Sequence, residues 1–238
     1  MSSRVAFGLL YRTLIRSVRT RGRLVSLAAL VLLAFVSALV AGAADDMSSL
    51  EAGARTAVVI LSQLVAVGSL VVASAVLGDL YDNGSIVYVA LRPVSSRALA
   101  AAAWAASCTV VLPAALVSAL AVGIVHSGDG LLVASLGGAL LAVAAYSALF
   151  GFLGVLVRRA LPAGLAFLVL WEGFVSLAGN AGAALSVTGY VRSLLAGVTG
   201  YGLKGGPFAI GTAVVVPIAF TVLAVLATAW LLDHRELP

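Results

Sequence analysis

With 238 residues, 63% of them hydrophobic and only 10% charged, the chain holds more apolar surface than a water-soluble fold of this size can bury. Soluble domains run nearer 45–50% apolar and about 25% charged. A mean hydropathy of +1.18 and a net charge of +5 point to a membrane rather than to nucleic acid, because basic residues beside apolar spans orient a chain and meet anionic lipid.

In chain order, the first feature is a basic, amphipathic stretch within residues 1–23. Arg12, Arg16, Arg19 and Arg23 follow steps of four, three and four, while Val5, Phe7, Leu10, Leu14 and Ile15 supply apolar surface elsewhere on the turn. That pattern predicts a helix lying in the membrane interface plane, the alternative being a plain tail of orienting charges. Six apolar blocks follow: Leu24–Ala44, Thr56–Leu77, Ala98–Val125, Leu131–Val157, Ala160–Ala178 and Phe208–Leu232. Each has the roughly 20 residues needed to cross the hydrocarbon core, where only internally bonded backbone is tolerated. The first block follows a basic stretch and ends in Ala41-Gly42-Ala43, as a signal peptide does. Its run is longer than the roughly 7–15 residues of a signal core, so it is expected to remain as a span.

The connections at Asp45–Arg55, His126–Gly130 and Arg158–Arg159 are short, and those at 78–97 and 179–207 are long. The second long connection is Gly-rich and interrupted by Arg192, which predicts surface or re-entrant helical segments. The expected fold is an all-α integral membrane protein. It has six transmembrane helices after an amphipathic interfacial helix, with a helical segment outside between helices five and six. No internal repeat or low-complexity linker divides residues 1–238, so one domain is expected.

Orientation follows from the fourteen basic residues, thirteen of which are arginine. With the amino terminus inside, eleven fall on the cytoplasmic side and only Arg55, Arg192 and Lys204 outside, a strong positive-inside bias. Both termini are then cytoplasmic, in what is expected to be a bacterial inner membrane.

Little in the sequence carries chemistry. His126 and His234 are the two histidines and are far apart, so no histidine–carboxylate metal site forms a motif. No Gly-x-Ser-x-Gly elbow with a matching base occurs, and the single lysine, Lys204, precedes Gly205 rather than Ser or Thr, so no phosphate-binding loop is present. No enzymatic activity and no cofactor are expected of this chain. Cys108, the one cysteine, excludes an internal disulfide and reads as a small buried side chain. Pro113 and Pro217 fall inside spans and predict kinks. Glu172 stands out, because a carboxylate in mid-span costs at least about 2.5 kcal/mol unless it is protonated, paired or facing water. It is either a substrate-path or helix-interface group or a protonated one bonded to a neighbouring helix's backbone, Ser or Thr, with Arg192 a candidate partner.

The first long connection reads Gly78-Asp79-Leu80-Tyr81-Asp82-Asn83-Gly84-Ser85, then an apolar run through Tyr88 to Arg92, then Pro93-Val94-Ser95-Ser96-Arg97. It resembles the corresponding loop of ABC-2 type permeases, the membrane subunits of a class of ATP-driven exporters. An acidic residue two before a Gly-Ser pair, and Pro-Val-Ser nine residues on, match that family. Ser96 stands where the family has Arg, with Arg97 one later. The resemblance implies a permease subunit that pairs with a second copy or a close relative. Cytoplasmic ATP-binding cassette subunits would hold the ATP and Mg. Asp79, Tyr81, Asp82, Gly84, Ser85, Tyr88, Arg92, Pro93 and Arg97 are then the contact with the ATPase, Ser85–Leu91 forming a coupling helix that Pro93 ends. Arg158 and Arg159 offer a second cytoplasmic contact. The apolar, Ala-rich spans favour a lipid-like or amphipathic cargo. The other reading is a scaffold or assembly factor whose loop anchors a cytoplasmic partner.

Overall fold

The computed structural model describes residues 3–43, 49–82, 95–157, 159–175, 178–203 and 208–234 and, within them, all side chains but those of residues 3–7, 9 and 80–82. Every element among these residues is helical. Helix α1 (Ser3–Val18) leads into α2 (Arg21–Gly42). Helix α3 (Ser49–Val59) continues through a π-helical segment, Ile60–Leu64, into α4 (Val65–Asp82). Then come α5 (Ser96–Val125), α6 (Leu131–Leu156) and α7 (Ala160–Phe167), which runs into a second π segment, Leu168–Phe174. Two short helices, α8 (Gly179–Ala184) and α9 (Val187–Thr199), precede α10 (Ile210–His234).

Five of these stretches are long and apolar enough to cross a membrane: α2, the continuous α3–α4 rod, α5, α6 and α10. They coincide with five of the six expected blocks. The block expected at Ala160–Ala178 differs. Its helix stops at Phe174, leaving about 22 Å of length. The stop follows Glu172-Gly173, and Gly179 then takes a left-handed φ of 72°, a conformation that costs glycine nothing.

Helix α6 is the centre of the bundle and packs against α4, α5, α9 and α10. Its Tyr146 and Phe150 are fully buried and stack at 6.0 Å between centroids. Phe150 meets Phe167 edge-on, and Phe167 stacks on Trp171, so an aromatic ladder ties α7 to α6. Small residues set the close crossings, as in membrane bundles generally. Helix α10 turns Ala213, Pro217, Thr221 and Thr228 inward at helical spacing, while Val215, Ile218, Val222, Leu223 and Leu226 face outward. Pro113 and Pro217 both lie inside single helices. Cys108 is half-buried rather than buried.

The amphipathic stretch forms a helix shorter than the expected 1–23. It ends at Val18, so Arg23 belongs to α2. Its apolar stripe, Leu10, Leu14 and Val18, is buried and covered mainly by α5, with Tyr11 and Thr109 sharing a 2.8 Å hydrogen bond. An amphipathic face fits a protein groove as well as a lipid surface, and here the groove takes it.

At the end of the bundle where α5 gives way to α6, Ser49 accepts a hydrogen bond from the Ser127 amide and Glu51 pairs with Arg55 at 2.6 Å. Tyr201 bonds to Glu51, which pushes its phenol above the usual range. His126 caps α5 and is only 2% exposed, with no partner for Nε2 among the described residues, and burial holds its pKa below the ordinary 6.5. A folded value below the unfolded one means that the unfolded chain takes up the proton first as pH falls. His126 therefore stabilises fully above about pH 6.5, and that contribution is lost as pH falls through the lower folded value. Melting temperatures of purified protein should fall on acidification below that point, and a His126→Asn variant should show a flatter profile. Equal slopes for the two proteins would mean that His126 is not the titrating group.

Candidate functional site

The candidate residues fall in two regions. The first lies where α4 ends and α5 begins. Asp79 sits on the last turns of α4 and accepts from Arg23 at 2.6 Å, the two side chains being 45% and 17% exposed. Arg23 also donates to the Ser17 carbonyl at the end of α1. One guanidinium thus joins α1, α2 and α4. A partly exposed pair of this kind is worth roughly 1 kcal/mol or less, so its value is in placement. Ser95 caps α5 by accepting from the Ala98 amide, and Ser96 donates to Asp233 at the far end of α10. Arg97 is exposed on the first turn of α5, and Arg159 is exposed at the turn into α7. Tyr81 and Asp82 close α4. Gly84, Ser85, Tyr88, Arg92, Pro93 and Arg158 lie outside the described residues.

The second region is built on Glu172, in the second π segment and 2% exposed. Its Oε1 accepts from the Val187 amide at 2.9 Å; Oε2 accepts from the Thr188 amide at 3.1 Å and the Thr188 hydroxyl at 2.6 Å. These are first-turn amides of α9, which a helix leaves without internal partners. Ser186 satisfies the next one, accepting from Gly189 at 3.0 Å. An acceptor-only group facing three donors is what a carboxylate supplies, and it meets the positive end of the helix dipole. The side chain that seemed costly in a span is thus satisfied by backbone.

This capping places α9. The π segment ends beside Tyr146, the middle of α6, and α9 then climbs the other half of α6. Val191 lies against Gly138, Leu194 against Gly137 and Val198 against Gly130. Gly130 carries a φ of 76°, and a Cβ there would sit 2.9 Å from the Val198 carbonyl oxygen, so only glycine fits. Trp171 Nε1 donates to the Leu185 carbonyl at 2.9 Å, and the Tyr190 hydroxyl to Ala184 at 2.8 Å, closing the α8 excursion. The Tyr146 hydroxyl sits between the two π segments. It makes a long 3.5 Å contact to the Ser62 carbonyl and interacts with Glu172 and Thr188. Arg192, one turn beyond Thr188, is half-buried within electrostatic reach of both Glu172 and Tyr146.

Glu172 and Arg192, paired as candidates from sequence, are neighbours here. Thr188, Tyr146 and Arg23 were not singled out for these roles, and only Arg23 left a signal, as the last arginine before an apolar run. No family model and no curated protein matches the chain.

Proposed function

We propose that this chain is the membrane-spanning subunit of an ATP-driven exporter. It would form the translocation path for a lipid-like or amphipathic substrate with a second copy or a close relative, powered by separate cytoplasmic ATP-binding subunits. In this reading both termini face the cytoplasm of a bacterial inner membrane. The observation that carries it is the loop from Asp82 to Arg97, with its acidic residue, Gly84-Ser85 pair and Pro93-Val94-Ser95.

The flanks of that loop support it. Helix α4 runs to Asp82 and α5 starts at a capped Ser96, so helices of 18 and 30 residues flank the loop on its two sides. A load applied there is transmitted rather than absorbed. Asp79 and Arg23 brace its entry, and Ser96 and Asp233 brace its exit. Chain 160–199 reads as a fifth crossing made in two pieces, with Glu172 at the break. Non-helical backbone at that depth is tolerated where protein covers it.

The test is an Asp82→Ala/Tyr88→Gly double variant, purified in mild detergent from native membranes. Loss of a capping or charge-assisted contact costs about 1 kcal/mol or somewhat more, and loss of an apolar interface anchor about 2 kcal/mol or more. Together these predict a drop of about two orders of magnitude in affinity for the co-purifying ATPase, with normal insertion. An ATPase retained in full, with undiminished substrate stimulation, counts against the reading. A partner that binds the loop but hydrolyses no ATP makes the chain a scaffold.

A further inference from the structure

We propose that Arg12, Arg16 and Arg19, extended by Arg21, form a binding ridge for the phosphate headgroups of anionic phospholipid. These arginines are exposed, and none has an ion-pair partner among the described residues. Residues 1–43 contain no Asp or Glu, and Asp79, the one acid paired with this segment among the described residues, is taken by Arg23.

The position of the ridge is fixed by protein. Leu10, Leu14 and Val18 are spent on α5, so α1 is clamped by its apolar side and its basic side is left outward. Only Arg19 and Thr20 separate α1 from the first span, which sets the guanidinium groups where hydrocarbon gives way to headgroups. Leu24 and Val25, 41% and 67% exposed, follow Arg21 directly. A phosphate held by Arg21 or Arg19 therefore brings its acyl chains against apolar side chains, a fit that a soluble anion lacks. Guanidinium forks suit phosphate oxygens, donating two parallel bonds to one group, and the attraction to an anionic leaflet acts within about a Debye length of the surface. Since α1 touches α5 and its end is tied through Arg23 to Asp79, lipid on the ridge steadies the inner end of the bundle.

The full-length protein is reconstituted in vesicles of phosphatidylcholine alone, or of phosphatidylcholine with phosphatidylglycerol, and amide hydrogen exchange is followed over α1. Phosphatidylglycerol should slow exchange of α1 roughly tenfold or more, and added salt should reverse this. Arg12→Gln/Arg16→Gln should abolish most of the difference while Arg19, Arg21 and Arg23 preserve orientation. The Lys double variant should keep a large part of it. Equal exchange of the parent in both vesicles overturns the proposal, as does an undiminished lipid effect in the Gln variant. Inorganic phosphate slowing α1 equally in phosphatidylcholine vesicles would assign the ridge to a soluble anion instead. No readout depends on transport or on an ATPase, so the ridge stands or falls separately from the exporter reading.

Discussion

Replacing Glu172 with leucine should destabilise the protein by about 2–6 kcal/mol and release the start of α9 from α6. The carboxylate accepts from two backbone amides and one hydroxyl in a site that is 2% exposed. Leucine leaves these donors without partners, and a buried donor so stranded costs about 1–3 kcal/mol. The Thr188 hydroxyl can rotate towards another acceptor, whereas the Val187 and Thr188 amides are fixed by the helix. Glutamine separates charge from shape. Its carbonyl can serve Val187, while its amide group faces the Thr188 amide as donor against donor, so Glu172→Gln should cost about 1–3 kcal/mol. Thermal melts should rank parent above Gln above Leu, and hydrogen exchange should quicken first at Val187 and Thr188. A Leu variant that melts with the parent, with α9 equally protected, would show that the break is held by something other than this carboxylate.

A span is announced by the free energy of the solvent around it, so the apolar runs mark α2, α5, α6 and α10 within about three residues and fall inside the longer α3–α4 rod. Glu172 was visible for the same reason, as a charge where charge is costly. What it bonds to was not visible, since two of its three donors are backbone amides and every residue but proline has one. The same limit hid the break in the fifth block. Ala160–Ala178 is apolar apart from Glu172 and Ser176, and hydropathy does not record that a helix stops so that its carboxylate can cap the next. Helix α1 was legible as amphipathic, but periodicity does not say whether lipid or α5 covers the stripe. The Arg23–Asp79 pair joins residues 56 apart in sequence, and neither residue alone implies the other.

Substituting valine at Gly154 should cost about 2–4 kcal/mol by forcing α4 and α6 apart, while alanine at Gly151, one turn away, should be neutral or slightly stabilising. The two glycines look alike in Phe150-Gly151-Phe152-Leu153-Gly154. A Cβ on Gly154 would lie 2.4 Å from the Ser74 carbonyl oxygen and 3.0 Å from the Ser74 carbonyl carbon and Cα. These are backbone atoms of a buried helix, with no rotamer to change, so the clash is relieved only by moving a helix. Overpacking in a rigid core costs about 1–3 kcal/mol, and separating α4 from α6 also loosens the most central contact of the bundle. Around Gly151 nothing lies within 4 Å of a Cβ, so alanine there meets open space and gains up to about 1 kcal/mol in helix propensity. Unfolding of both variants in mixed detergent micelles measures the difference. Should Gly154→Val unfold at the parent's midpoint, α4 and α6 are not in the close contact that Gly154 and Ser74 make.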